Sequence, residues 1–183
     1  MQYITVFCGS RYGNSARYRE GAVQLGRELA RRNLTLVYGG AHAGLMGALA
    51  DAALEAGGQV IGIIPTFLRD REIAHGNLTK LVIVENMHER KRQMGELADG
   101  FIVLPGGLGT MEEFFEVFSW HYIGLHRKPC GILNIDGYYD PLLALLDHMT
   151  EQAFMPPDTR RALIVDDDAA RLLDKLTVFA GQP

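Results

Sequence analysis

Phe101-Ile102-Val103-Leu104-Pro105-Gly106-Gly107-Leu108-Gly109-Thr110-Met111-Glu112-Glu113 decides the fold, because an apolar run empties into a glycine-rich turn that opens directly onto a helix. Glycines without Cβ let several backbone N–H groups converge on an anion, and a helix start adds unpaired donors and about half a positive elementary charge. A nucleotide phosphate is the natural guest. Thr110 stands where a Walker loop would carry Lys, and the GGxG spacing departs from the GxGxxG dinucleotide pattern, so ATP and NAD lose weight as ligands. Glu113, expected in the first helical turn, brings a carboxylate near the sugar of a nucleotide whose phosphate sits in the turn. The same residues admit a plainer role, since Thr110 and Glu113 have the spacing of a capping box. Pro105 and the double glycine favour the anion site, because capping needs neither.

Outward from this turn, short apolar runs recur at Ile4–Cys8, Leu34–Tyr38, Val60–Ile64, Leu81–Val84, Phe101–Leu104, Gly131–Asn134 and Leu163–Val165, each bounded by Gly, Pro, Asn or Asp. Their continuity predicts strands covered on both faces. Between them lie helical stretches, such as the one where Tyr18, Ala22, Leu25 and Leu29 repeat at three- and four-residue spacing, with Arg19, Glu20, Arg27 and Glu28 opposite. The alternation predicts an α/β fold, an open parallel sheet of about seven strands flanked by helices on both faces. In such a sheet ligands bind beyond the carboxyl ends of the strands. Three glycine-rich turns should therefore converge there: Gly9-Ser10-Arg11, Gly39-Gly40-Ala41-His42-Ala43-Gly44, and Pro105 to Thr110. Pro65 to Thr79 shows no clear helical period and is expected to be an irregular loop near the strand ends or a solvated connector. No internal repeat or linker is visible, and Pro156-Pro157 only punctuates the approach to the last strand.

The 183 residues, 48% hydrophobic, predict one domain spanning 1–183. A net charge of −4 argues against a general nucleic-acid or anionic-membrane surface, which depends on clustered Lys and Arg. Backbone amides can still hold one phosphate. The N-terminal stretch reads as a strand rather than a signal peptide, and no run approaches the roughly 20 apolar residues of a membrane span, so a cytoplasmic protein is expected. Cys8 and Cys130 adjoin short β-rich runs without CxxC or Cys/His ligand spacing and read as reduced core thiols. Neither a metal nor a cofactor is expected.

Two motifs together, Met87-His88-Glu89-Arg90-Lys91 and Pro105 to Glu113, closely resemble the LOG family of cytokinin riboside 5′-monophosphate phosphoribohydrolases. The resemblance extends across nearly the whole chain, through Tyr38-Gly39-Gly40, Gly44-Leu45-Met46-Gly47, Arg71-Glu72 with His75, and Asn134-Ile135-Asp136-Gly137-Tyr138-Tyr139. It implies a homodimeric Rossmann-like enzyme that cleaves the N-glycosidic bond of N6-substituted adenosine monophosphates such as isopentenyladenosine monophosphate, releasing free base and ribose 5-phosphate, with AMP itself often a substrate. It further implies that Arg90 and Glu113 form the catalytic pair, while Glu72, Lys91, Gly107, Leu108, Gly109, Thr110, Met111, Glu112 and Ser119 contact the nucleotide. Gly40 and Gly106 of the two double-glycine turns join that binding set, and Ser10 is a candidate phosphate hydroxyl or a plain turn or cap residue. This chain departs from the family pattern where Ala41-His42-Ala43 follows Gly40, and where Ser119 stands in place of the usual Thr. Both changes bear on substrate range rather than on phosphate binding.

Cleaving a ribose–base bond passes through oxocarbenium-like charge at C1′, which calls for a nearby carboxylate, an activated water and stabilisation of the departing base. Glu113 can orient or deprotonate water, or stabilise C1′ directly, and Arg90 beside it would keep it ionised and oriented. On local pattern alone, Arg90-Lys91-Arg92 looks like an ordinary basic helix face, and Glu72 is equally an exposed partner of Arg69 or Arg71. The helix after the turn carries Met111, Phe114, Phe115, Val117, Phe118, Trp120, Tyr122 and Ile123, apolar almost all round, which suits central packing or a symmetric dimer contact. The competing reading is a non-catalytic nucleotide or molybdenum-cofactor carrier, which needs neither Arg90 nor Glu113. A lysine decarboxylase using pyridoxal phosphate would need a Schiff-base lysine, and Lys80, Lys91, Lys128 and Lys175 have no supporting context.

Overall fold

The structure, a computed structural model, describes residues 1–72 and 74–181, the side chains of Asp70 and Glu72 excepted. The strands are β1 (Tyr3–Phe7), β2 (Thr35–Tyr38), β3 (Val60–Pro65), β4 (Lys80–Val84), β5 (Gly100–Val103), β6 (Cys130–Leu133) and β7 (Leu163–Asp166). The helices are α1 (Ala16–Arg31), α2 (Gly44–Glu55), α3 (Thr66–Glu72), α4 (Met87–Leu97), α5 (Leu108–Tyr122), α6 (Asp140–Glu151), α7 (Pro157–Ala162) and α8 (Ala169–Ala180), with a 3-10 turn at Ile135–Gly137.

The seven strands form one sheet in the order β4-β3-β2-β1-β5-β6-β7, and every pairing is parallel. Each apolar run read from the sequence is a strand, with ends shifted by a residue or so, as expected where assignment depends on the last ladder bond. The central strands are buried on both faces because helices cover both sides. Ala22, Leu25 and Leu29 of α1 pack with Leu45 and Leu49 of α2 and Leu172, Leu173 and Leu176 of α8 in one core. Met94 of α4, Phe114, Val117 and Phe118 of α5 and Leu146 of α6 fill the other. Full burial of each such side chain contributes roughly 1.5–3 kcal/mol relative to exposure.

The stretch Pro65 to Thr79 differs from the expectation of an irregular loop, since its first half forms α3. Phe67 and Leu68 are its only apolar side chains besides a terminal Thr methyl, too few to mark a period, and Thr66 anchors its start by donating to the Val84 carbonyl at 3.2 Å.

The topology fixes where a ligand can go. The chain winds outward from β1 through β2 and β3 to β4, then returns to place β5 on the opposite side of β1. Loops leaving β1 and β5 consequently turn to opposite faces, and a crevice opens between them at the carboxyl ends.

Candidate active site

The three glycine-rich turns meet at that crevice and are bonded to one another. Gly9 N–H donates to the Pro105 carbonyl at 3.0 Å, and Leu45 N–H donates to the Gly9 carbonyl at 3.1 Å. Gly44 permits the second contact: its φ is +57°, and a Cβ there would lie 2.3 Å from the Arg11 nitrogen. Around this junction lies a cavity of about 730 Å³, to which Ser10, Arg11, Gly39, Met46, Arg90, Gly106 to Thr110, Glu112, Glu113 and Tyr138 contribute.

One wall is the start of α5. Its N-cap is Gly107, with no side-chain capping bond, so the capping-box alternative does not form. Thr110 lies inside the first turn, 4% exposed, against Gly106. Because α5 begins at Leu108, the first turn carries no acid and Glu113 stands in the second turn, a correction to the expected first-turn position. Leu108 is 92% exposed and a Cβ on Gly107 or Gly109 would meet nothing within 4 Å, so the helix-start amides are open to a ligand.

Arg90 also lines the cavity. Its side chain is buried, donating from Nε to the Ile63 carbonyl at 3.0 Å and from Nη2 to the Gly39 carbonyl at 2.8 Å. Gly39 makes room for it, since a Cβ there would lie 2.0 Å from Nη2. A buried guanidinium held by two neutral carbonyls brings a positive charge to the cavity it lines. Cys8, just after β1, feels both candidate catalytic groups: burial pushes its thiol pKa up, the Glu113 carboxylate adds to that, and Arg90 opposes it.

Ser10, Gly106, Gly107, Leu108, Gly109, Thr110, Glu112, Arg90 and Glu113 are thus brought to one cavity. Gly40, Lys91, Met111 and Ser119 are not among the residues that line it. Lys91 bonds Glu112 at 2.5 Å and Glu116 at 3.0 Å. Ser119 is exposed and donates to the Glu116 carbonyl at 2.9 Å. Met111 packs against the core on the α5 side of the sheet, and Gly40 gives its carbonyl to His75 N–H at 3.0 Å. The His75 ring pairs with Asp51 at 2.9 Å. The side chain of Glu72 lies outside the described residues. Ser10 does not cap α1, whose N-cap is Ser15.

Sequence reasoning missed Gly39 as the seat of Arg90 and Tyr138 as a wall residue. Both contacts span long sequence separations that no local pattern reports. Cys8 and Cys130 are free and buried, as read. No helix among the described residues is long and apolar enough to cross a membrane.

Residues 46–176 match the family model described as possible lysine decarboxylase. A cytokinin riboside 5′-monophosphate phosphoribohydrolase from Rhodococcoides fascians is 52% identical over 166 residues, which is 90% of this chain and 84% of that protein. A cytokinin riboside 5′-monophosphate phosphoribohydrolase from Arabidopsis thaliana is 45% identical over 176 residues, 96% of this chain and 83% of its own length. Among solved structures, the molybdenum cofactor binding protein from Rippkaea orientalis has a TM-score of 0.73 over 97% of this chain and 96% of that chain at 20% identity, a likeness of fold alone. The decarboxylase description finds no support in the lysines. Lys91 is ion-paired, Lys128 donates to the Gly95 carbonyl, Lys175 pairs with Asp166, and Lys80 is exposed on β4. None of them lines the cavity.

Proposed function

We propose that this chain, which belongs to the LOG family of cytokinin riboside 5′-monophosphate phosphoribohydrolases, hydrolyses the N-glycosidic bond of adenosine 5′-monophosphates, both N6-substituted ones such as isopentenyladenosine monophosphate and AMP itself. The observation that carries this reading is the joint presence of an uncapped helix start, Arg90 and Glu113 on one cavity at the sheet's switch point. The phosphate docks on the amides of Gly107 to Thr110, where helix charge and unpaired donors favour an anion. Anchoring that end fixes the ribose and lowers the entropic barrier. The C1′–N bond then breaks, water adds to C1′, and the proton it loses balances the one taken up by the departing base. Glu113 offsets the positive charge at C1′ and orients the water against it, while Arg90 supplies a buried positive charge to the same cavity.

The test is to incubate purified protein with AMP and N6-isopentenyl-AMP and follow free base and ribose 5-phosphate, alongside Glu113→Gln and Arg90→Ala. Wild type should release both products far faster than either variant. Nucleotide binding without release in all three would favour the carrier reading, which otherwise draws only on a likeness of fold.

The functional form in this reading is a cytoplasmic homodimer. Phe114, Val117 and Phe118 of α5 are buried, but on and beyond its other face Phe115, Tyr122, Ile123 and Leu125 are 37, 52, 63 and 68% exposed. A symmetric contact would cover that surplus apolar surface. Light scattering should give twice the 20.3 kDa of the chain, and a monomer mass would refute the dimer.

A further inference from the structure

We propose that Tyr138 is a positioning residue for phosphate binding, its hydroxyl locking the Gly106–Gly107 peptide so that the Gly107 N–H is offered to the anion. Tyr138 Oη donates to the Gly106 carbonyl at 2.6 Å. In a trans peptide the carbonyl and the following N–H point in opposite directions, so pinning one fixes the other. The N–H on the far side of this peptide belongs to Gly107, the uncapped N-cap of α5 and part of the cavity wall. A peptide between two glycines meets little steric resistance to rotation, so its orientation needs an external constraint.

The constraint is itself braced. The Tyr138 ring lies edge-on to Tyr18 at 5.5 Å and to Tyr139 at 4.8 Å. Tyr139 Oη donates to the Leu104 carbonyl at 2.6 Å, so consecutive tyrosines bond carbonyls on the two sides of Pro105. They reach the turn because Asp136 and Gly137 adopt positive φ of 55° and 68°, bending the chain back after β6. Arg17 of α1 pairs with Asp136 at 2.8 Å across that bend. The two tyrosines differ in burial: Tyr139 is 2% exposed and belongs to the core, whereas Tyr138 is 38% exposed and borders the cavity. Water can therefore replace the Tyr138 hydroxyl at the Gly106 carbonyl, and its removal costs orientation rather than stability.

This inference rests on the reading that the phosphate docks at the start of α5. Tyr138→Phe keeps the ring and removes only the hydroxyl. Calorimetric Kd values for AMP and adenosine, with KM and kcat for AMP, separate positioning from a structural role. The variant should bind AMP about three- to tenfold more weakly, the range of one net hydrogen bond. KM should rise in parallel, with kcat, melting temperature and adenosine affinity unchanged. Equal AMP affinity in both proteins, or equal weakening of AMP and adenosine, would overturn the assignment. Wild type that binds AMP without cleaving it would end the hydrolase reading, yet the two AMP affinities would still decide the role of Tyr138.

Discussion

The helices of this protein begin in two ways. α1, α4 and α8 start on Ser15, Asn86 and Asp168, whose side chains accept from the amides of Arg17, Glu89 and Arg171. α5 starts on Gly107, where no side chain does this. α2, α6 and α7 also lack a side-chain cap, but the Leu45 amide of α2 is taken by the Gly9 carbonyl, and α6 and α7 carry a proline in their first turn and start away from the cavity. A side-chain cap occupies one of the unpaired amides and sets its own oxygen over the helix start, while the open end beside the cavity keeps all its donors and helix charge for a ligand. The difference separates ends that hold the fold from the end that holds the substrate.

The largest effect should come from the acid that the open end positions. Glu113→Gln is expected to lower kcat for AMP by roughly 10²–10⁴-fold, the usual contribution of a proton-transfer or charge-stabilising group, with AMP affinity retained. Product assays together with calorimetry check both halves. Next in size is giving α5 the cap it lacks. Gly107→Asp places a carboxylate where its Cβ meets no other atom, and φ there is negative, so no backbone strain follows. The new side chain competes with phosphate for the same amides and repels it, so KM for AMP should rise more than about tenfold while the melting temperature holds or climbs slightly. An unchanged KM would mean that these amides do not bind the phosphate.

How far this contrast can be read without coordinates depends on the range of the contacts. The strands were legible because each is a short apolar run set off by turn residues, and the central ones are buried on both faces, as Phe101 to Leu104 is before Pro105, whereas the edge strand β4 is partly exposed. The anion turn was legible because glycine clustering is local. The state of its cap was not, because Thr110 and Glu113 fit a capping box equally well until the helix start is fixed at Leu108. α3 escaped notice because its seven residues hold too few apolar positions to show a period. The seat of Arg90 was invisible because it depends on the absence of a Cβ at Gly39, across the sheet's carboxyl edge from α4. Lys91, adjacent in sequence to Arg90, lies on the flank facing Glu112 and Glu116, since successive helical residues point about a hundred degrees apart.

The capped ends supply the opposite expectation. Asp168→Ala removes the α8 cap and should cost about 1 kcal/mol. That lowers the melting temperature by about 2–4 °C in a chain of this size. KM for AMP should not move, and a shift in KM would break the division between the two kinds of helix end. The smallest effect lies at the C-terminal end of α1, whose residues do not line the cavity. The hydrogen bond from Arg31 to Glu28, opposed in part by burial and joined by Arg32, holds the Glu28 pKa down to about 2 from 4.5. A depressed carboxylate stabilises above its unfolded pKa and loses that contribution as pH falls through its folded one. Thermal melts of wild type and Glu28→Gln should therefore differ above pH 4.5 and converge towards pH 2.

The central claim is that the start of α5 holds the monophosphate with Glu113 facing the anomeric carbon. A crystal structure of Glu113→Gln with AMP tests it most directly, because the variant should bind without turning over. The account predicts phosphate oxygens within hydrogen-bonding reach of the Gly107 to Thr110 amides and C1′ directed at residue 113. A phosphate seated anywhere else, or a ribose turned away from that side chain, would contradict it.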